Sequence, residues 1–204
     1  MKQQFIITNS IMDEKALKLA AYSYSGRSDR DPVEAHFAGI PMIKHNLNPS
    51  ADVSIVAIIT EAGNYANNFE LYKKELEKIT EETGIELVSK IKVIKVPYDE
   101  SREKHIAFFT ELCKLFEEDA ELYMDVTFGS KVTPISEFAS LVYAENAKKC
   151  NIKEVIYGKV IAAEKQEIYD IKCLYHMAQL ISTASHNPYV DLEELLNSFE
   201  KDEK

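Results

Sequence analysis

The stretch that decides the fold runs from Leu122 to Pro134 and reads Leu-Tyr-Met-Asp-Val-Thr-Phe-Gly-Ser-Lys-Val-Thr-Pro. It begins as an apolar run of strand character and becomes polar within a few residues, as a buried strand does when it delivers functional side chains to a sheet edge. Gly129 allows backbone to approach a ligand closely, and Ser130 and Lys131 add a hydroxyl and a cation. The pair Thr133-Pro134 is typical of a helix N-cap and first helical position. A helix N-terminus attracts anions, so we expect an anionic ligand here.

Outside this stretch the chain alternates between strand-like and helix-like segments. Strands are predicted at 3–8, 53–59, 91–96, 155–161 and 168–171, and at 16–24, which also fits a helix. Helices are predicted from Asp31-Pro32 to Asn46 and at 67–82, 101–118, 134–149, 172–180 and 189–199. This alternation implies βαβ units, and the expected class is α/β: a Rossmann-like open, mostly parallel sheet with helices on both faces, followed by C-terminal helices.

The same pattern predicts two parts, a ligand-binding domain at 1–171 and a C-terminal helical segment at 172–204. Helical spacing also predicts which side chains face the sheet. On the helices at 101–118 and 134–149 these are Ile106, Phe109, Cys113, Phe116, Ile135, Phe138, Val142 and Tyr143.

Composition limits the classes of function. The net charge of -10 over 204 residues argues against bulk binding of DNA or RNA, so any nucleotide must be held in a local pocket. The sequence has no apolar run of eighteen residues and no signal-peptide pattern at its N-terminus, which predicts a soluble, cytoplasmic protein that does not insert into a membrane. Cys113, Cys150 and Cys173 are widely spaced and are interpreted as reduced core thiols, and neither a metal nor a cofactor is expected.

Polar residues follow three of the predicted strands, and ligands of open parallel sheets bind beyond the carboxyl ends of strands at the topological switch point. The candidate ligand-binding residues are Thr8, Asn9, Ser10, Thr60, Glu61, Asp125, Thr127, Gly129, Ser130 and Lys131. Each of these alone also fits a turn or a helix cap, and Lys131 also fits a solvated surface lysine. Asp125 is interpreted as a brace of the loop, because a carboxylate beside an anion costs energy unless hydrogen bonds stabilise it.

Several familiar kinds of site are excluded because the sequence lacks their motifs. The sequence contains no Gly-x-Gly-x-x-Gly fingerprint, no Walker loop and no Gly-x-Ser-x-Gly elbow, which argues against the usual NAD enzymes, NTPases and α/β-hydrolases. Arg30 and His36 have a spacing that some ribonucleases use, but chance pairs of this kind are common and no site is assigned to them.

Four segments together resemble the CARF (CRISPR-associated Rossmann fold) family. They are Thr8-Asn9-Ser10, Val-Ala-Ile-Ile-Thr-Glu at 56–61, Asp-Val-Thr-Phe-Gly-Ser-Lys at 125–131 and Val-Ile-Tyr-Gly at 155–158. The resemblance implies a homodimer that binds a cyclic oligoadenylate, with cyclic tetra-adenylate as the expected ring, between two facing loops. It implies that Ser10 and its neighbours lie below the adenosines, and that 129–131 contact ribose and phosphate.

The resemblance allows two main functions. The first is the sensor domain of a type III CRISPR accessory effector, with the effector fused or separate. The second is a metal-independent ring nuclease in which the ribose 2′-OH attacks its own phosphate, with Ser10 and Lys131 as catalytic candidates. Sensing ranks first because the sequence shows no positioned general base. A Rossmann-like domain that binds another nucleotide, or that only dimerises, is a third alternative.

Overall fold

A computed structural model describes residues 1–8, 17–96, 101–162 and 165–199 of the chain. It divides into two compact units, Met1–Asp170 and Ile171–Lys204. The second unit contains two amphipathic helices, α5 (Lys172–Ala184) and α6 (Leu192–Phe199). The first unit contains the sheet and the candidate site.

The strands of the first unit are β1 (Lys2–Thr8), β2 (Ala20–Tyr24), β3 (Val33–Ala35), β4 (Asp52–Thr60), β5 (Ile91–Val96), β6 (Ala120–Asp125), β7 (Asn151–Ala162) and β8 (Lys165–Asp170). Its helices are α1 (Gly39–Asn46), α2 (Tyr65–Thr83), α3 (Arg102–Leu115) and α4 (Val132–Lys148). The strand predicted within 16–24 is confirmed over β2.

These strands form one sheet in the order β3-β2-β8-β7-β6-β1-β4-β5. The five strands from β7 to β5 are mutually parallel, whereas β8 pairs antiparallel to β7 and β3 antiparallel to β2. The predicted α/β class with a mostly parallel, Rossmann-like open sheet is therefore confirmed. Among the five parallel strands, the chain runs from β1 through β4 to β5 on one side of β1 and then through β6 to β7 on the other, which places the topological switch point between β1 and β6.

Helices cover both faces of this sheet. Successive strand residues point to opposite faces, so Ile7 and Thr8 define the two sides of β1. A Cβ on Gly39 of α1 would lie 3.0 Å from the Ile7 side chain, whereas Thr8 hydrogen-bonds Glu137 of α4. On the α1 side, the core includes Phe5, whose ring stacks on Tyr123 of β6, and Phe37, Tyr72 and Leu76.

The prediction of a helix that begins at Asp31-Pro32 is wrong. Residues 33–35 form β3, which pairs antiparallel with β2, and α1 begins only at Gly39. Phe37 lies between the two elements and packs its ring edge-to-face on Tyr72 of α2. Strand pairing overrides the helical spacing here, and Pro41 falls in the first turn of α1, where its missing N–H costs nothing.

Helix α4 has a different N-cap from the predicted one, and a different face of the helix is buried. Lys131, not Thr133, is its N-cap, and Pro134 still lies in the first turn. The buried side chains are Thr133, Glu137, Ser140, Leu141 and Ala144. Ile135, Val142 and Tyr143 point outward instead, with 66%, 44% and 41% of their surface exposed. On the buried face, Glu137 accepts the Thr8 hydroxyl of β1, and the Ser140 hydroxyl donates to the Glu137 carbonyl within the helix.

Two further burial predictions are corrected. On α3, Cys113 and Phe116 are buried as predicted, but Ile106 is 54% exposed and Phe108 and Leu112 take the inward positions. The prediction of three core thiols is wrong for Cys173, which is exposed, whereas Cys113 and Cys150 are buried.

Candidate functional site at the carboxyl edge of β1 and β6

Three of the polar strand ends lie side by side at one edge of the sheet. Ile7 pairs with Asp125 of β6, and Thr8 pairs with Ile58 of β4, two residues before Thr60. Neighbouring strands lie about 4.8 Å apart, so Thr8, Thr60 and Asp125 share the edge at the switch point. Asn9 and Ser10, which follow Thr8, lie outside the residues that the structure describes.

Asp125 braces the loop that joins β6 to α4. It is fully buried, and its Oδ1 accepts hydrogen bonds from the Thr127 backbone N–H at 2.9 Å and from the Thr127 hydroxyl. The Thr127 hydroxyl in turn accepts the N–H of Gly158 on β7 at 2.8 Å. These bonds fix the first turn of the loop, as the interpretation of Asp125 as a brace requires, and they occupy the Thr127 hydroxyl.

The second carboxyl oxygen of Asp125 is less well satisfied. Oδ2 has no hydrogen-bond partner of normal geometry in the described ranges, although the backbone N–H of Gly39 is close enough to favour the charged form. Burial raises the pKa of Asp125 to about 6, and the interactions with Thr127 and Gly39 limit the rise. Asp125 therefore titrates near neutrality.

Glu137 on α4 is a second buried carboxyl at this edge, and the sequence analysis did not identify it. Its Oε1 accepts the Thr8 hydroxyl, and its Oε2 has no partner in the described part of the chain. Burial raises the pKa of Glu137 to about 8, the Thr8 hydrogen bond lowers it and the charge of Asp125 raises it. At pH 7 Glu137 is thus predominantly protonated. The run of small and polar residues at helical spacing on this face, from Thr133 through Ser140, is the signal that points to it.

Apart from the predicted close approach of the backbone to a ligand, two features of the loop structure explain why residue 129 is glycine. Its φ of +113° disfavours any residue with a Cβ. An added Cβ would lie 3.0 Å from Thr133 Cβ and 3.2 Å from Thr8 Cγ2. The loop therefore approaches β1 and α4 closely enough that only glycine fits without displacement.

Ser130 and Lys131 complete the loop. The Ser130 hydroxyl lies 3.2 Å from the Thr133 hydroxyl. Lys131 is exposed and, in the described ranges, has neither a hydrogen bond nor an ion pair, and α4 has no side-chain cap at its N-terminus. An exposed ammonium beside an uncapped helix start suits a phosphate group.

Thr60 and Glu61 differ from one another. Thr60 is buried at the end of β4. The Glu61 carboxylate forms an exposed ion pair with Lys95 of β5 at 2.9 Å, on the side of β4 that faces away from β1. The structure therefore brings Thr60, but not the Glu61 carboxylate, toward the switch point.

His36 and Arg30 do not form a shared site. Arg30 pairs with Glu154 at 2.8 Å, whereas His36 Nδ1 lies 2.8 Å from Glu75 Oε1 on α2 and the His36 backbone N–H also donates to Glu75. In the neutral ring, donation from Nδ1 to Glu75 makes Nε2 the acceptor nitrogen, and the His36 ring is partly exposed. The loop that carries His36 packs on the β6–α4 loop, because the rings of Phe37 and Phe128 meet edge-to-face at 6.4 Å.

Elsewhere in the described ranges, the groove, the metal-ligating side chains and the helices do not offer a better site for a phosphate-containing ligand than this edge. An open groove of about 570 Å³ lies near the C-terminal end of α2 and is lined by Glu77, Thr80, Glu81, Glu86, Val88 and Ser89. Its three carboxylates make it unsuitable for phosphate. No group of three His, Cys, Asp or Glu side chains in the described ranges could hold a metal ion. In these ranges, every helix is too short or too polar to cross a bilayer.

The sheet order and the flanking helices together define the chain as an α/β protein with a Rossmann-like open sheet. No protein-family model matches its sequence, and no curated protein matches it either.

Proposed function

We propose that this protein binds a cyclic oligoadenylate, cyclic tetra-adenylate first among the ring sizes, as the sensor domain of a type III CRISPR accessory effector. The observation that carries the proposal is the position of the Asp125–Lys131 segment, which bears the most specific part of the CARF resemblance. This segment follows β6 directly at the switch point, where open parallel sheets bind nucleotides.

The chemistry of the edge supports a phosphate-rich ligand. Lys131 supplies an exposed ammonium that has no ion pair among the described residues, and the uncapped start of α4 supplies the positive end of a helix dipole. Burial raises the pKa of Glu137 to about 8, which favours its neutral form near pH 7 and limits its repulsion of phosphate, and the Asp125 carboxylate is hydrogen-bonded by Thr127. Because the net charge is -10, such a ligand must be held by local contacts.

The outward face of α4 supports a homodimer. Ile135, Val142 and Tyr143 form an exposed apolar stripe on the helix that starts at the site. Apolar surface of this kind commonly marks an interface, and a two-fold contact would use the same stripe on both copies. Two copies joined here would double the number of lysines and helix N-termini that face one ring.

A second candidate function is metal-independent cleavage of the bound ring, and the His36–Glu75 pair favours it. A buried carboxylate that holds Nδ1 leaves Nε2 available to accept a proton. In this reaction Nε2 takes the 2′-hydroxyl proton, the 2′-oxygen bonds to the adjacent phosphorus, and the bond from phosphorus to the 5′-oxygen breaks. The 5′-oxygen takes a proton from water, and the hydroxide so formed takes the proton back from Nε2, so the products are a 2′,3′-cyclic phosphate and a 5′-hydroxyl.

The test is titration of the purified protein with cyclic tetra-adenylate, cyclic hexa-adenylate and linear tetra-adenylate, followed by chromatography of the ligand over hours. Binding of a cyclic ligand with no cleavage supports the sensor. Linear products that disappear in His36→Gln and Glu75→Gln support the nuclease. Failure of every cyclic ligand to bind contradicts both.

Two variants test the proposed geometry: Lys131→Ala tests contact with the ligand, and Tyr143→Glu tests dimerisation through α4. Lys131→Ala should weaken binding by about 1.5–3 kcal/mol, the usual range for a charge-assisted hydrogen bond, whereas Lys149→Ala at the other end of α4 should not. Tyr143→Glu should convert dimer to monomer in sedimentation velocity, and Lys78→Glu on α2 is its charge control. An unchanged affinity in Lys131→Ala would assign that lysine to the solvent.

A further inference from the structure

Glu137 contacts the end of β1 directly and lies close to the β6–α4 loop through Thr8 and Thr133. Its carboxyl accepts the hydroxyl of Thr8, the last residue of β1 that the structure describes. It lies one turn after Thr133, and Gly129 of the loop is wedged between Thr133 and Thr8. A shift of the Glu137 side chain would therefore move Thr8, and with Thr8 the packing of Gly129.

The surroundings of Glu137 are not those in which a carboxyl group stabilises a fold. Glu137 and Thr8 are completely buried, and Glu137 Oε2 has no partner among the described residues. A leucine of similar volume would fill such a position without a desolvation cost. Unsatisfied buried carboxyls with shifted titration are typical of functional sites.

We infer that Glu137 is a positioning residue of the oligoadenylate site, acting through the Thr8 hydroxyl on the junction between the end of β1 and the β6–α4 loop. This inference rests on the proposed function and specifies it further. The hydrogen bond orients Thr8, the last described residue of β1. It also fixes the surface on which Gly129 packs, and so the path of the loop toward Lys131.

The protonation state of Glu137 supplies a readout that a purely structural role would not move. Burial raises its pKa to about 8, so it is neutral at pH 7 and gains a negative charge as the pH rises through that value. The described charged group that acts on it is Asp125, on the other face of the sheet, and Lys131 lies at the N-terminus of the same helix. A phosphate near Lys131 would be repelled by ionised Glu137, so ligand affinity should fall above pH 8.

The experiment measures the dissociation constant for cyclic tetra-adenylate between pH 6 and pH 9 in wild type, Glu137→Gln, Glu137→Leu and Thr8→Val. The control is Ser140→Ala, which changes a buried residue one turn further along α4 that bonds to the Glu137 carbonyl. Wild-type affinity should fall at least about threefold from pH 7 to pH 9, and Glu137→Gln should bind at pH 7 within about twofold of wild type without this fall. Glu137→Leu and Thr8→Val should bind roughly tenfold more weakly at pH 7.

Three outcomes overturn the inference. If Glu137→Leu and Thr8→Val bind like wild type, Glu137 positions nothing. If Glu137→Gln keeps the wild-type pH dependence, the titrating group lies elsewhere, and this comparison stands even if Glu137→Leu fails to fold. If the wild type binds the ligand and the variants bind it equally well, only the role of Glu137 is contradicted. If the wild type binds no cyclic tetra-adenylate at any pH, the proposed function is contradicted as well.

Discussion

Two buried glutamates in this molecule have opposite surroundings. Glu154, near the start of β7, has both oxygens satisfied: Arg30 donates to one at 2.8 Å and Asn46 to the other at 2.6 Å. Glu137, at the carboxyl edge, has one oxygen bonded to Thr8 and the other without a partner in the described ranges. Burial raises the pKa of both, but at Glu154 the Arg30 charge opposes the rise. Paired buried charges hold the β2–β3 loop to the sheet, whereas the unpaired carboxyl lies where a ligand is expected.

Breaking the satisfied network should have the largest effect. Arg30→Leu leaves Glu154 buried without its cation and also removes the guanidinium that lies 4.3 Å from the Tyr24 ring centre. The expected loss in the free energy of unfolding is about 3–5 kcal/mol, measured by urea denaturation. Arg102→Leu at the exposed start of α3 is the control and should change stability by less than about 0.5 kcal/mol. A loss below about 1 kcal/mol for Arg30→Leu would show that the network does not stabilise the fold.

The unsatisfied carboxyls should give stability an unusual pH dependence. The pKa of Glu137 is raised to about 8 from 4.5, so its folded form binds the proton more tightly than the unfolded chain does. Stability from this group is therefore present below pH 4.5 and declines as the pH rises to 8, by at most about 1.4 kcal/mol per pH unit. For Asp125, raised from 3.8 to about 6, the decline ends near pH 6.

Two variants separate these contributions in urea denaturation between pH 4 and pH 8.5. Glu137→Gln should remove most of the decline between pH 6 and pH 8. Asp125→Asn should keep that decline and make the curve less steep, but not flat, between pH 4 and pH 6, because Glu137 still titrates above pH 4.5. If Glu137→Gln shows the wild-type decline above pH 6, Glu137 does not titrate in that range.

A smaller effect is expected from the glycine of the loop. Gly129 and Gly84 both have positive φ, but a Cβ on Gly84 would meet nothing within 4 Å, whereas one on Gly129 would press on Thr133 at 3.0 Å. Alanine at Gly84 should cost about 1 kcal/mol of stability, and alanine at Gly129 about 1 kcal/mol more. Equal losses would mean that the loop can move away from β1 and α4.

The sequence located the edge of the sheet better than it located the side chains around it. The apolar runs in β4 and β6 end in Thr60 and Asp125, and such runs are recognisable because strands buried on both faces need no alternation. The partner of Thr8 is 129 residues away in sequence. Local spacing cannot reveal such a pairing, so Glu137 was missed and the apolar face of α4 was assigned inward. The β2–β3 pairing was missed for a similar reason, because three residues are too few to outweigh a helical pattern.

If the proposed function is correct, the edge between β1 and β6, and not the Arg30–Glu154 network, holds the cyclic oligoadenylate. Amide hydrogen exchange with and without cyclic tetra-adenylate distinguishes these two regions. We predict that the ligand slows exchange at 126–133, in the loop and the first turn of α4, and leaves 44–48 and 151–154 around the network unchanged. Protection centred on the network, or none at 126–133 under saturating ligand, would contradict the account.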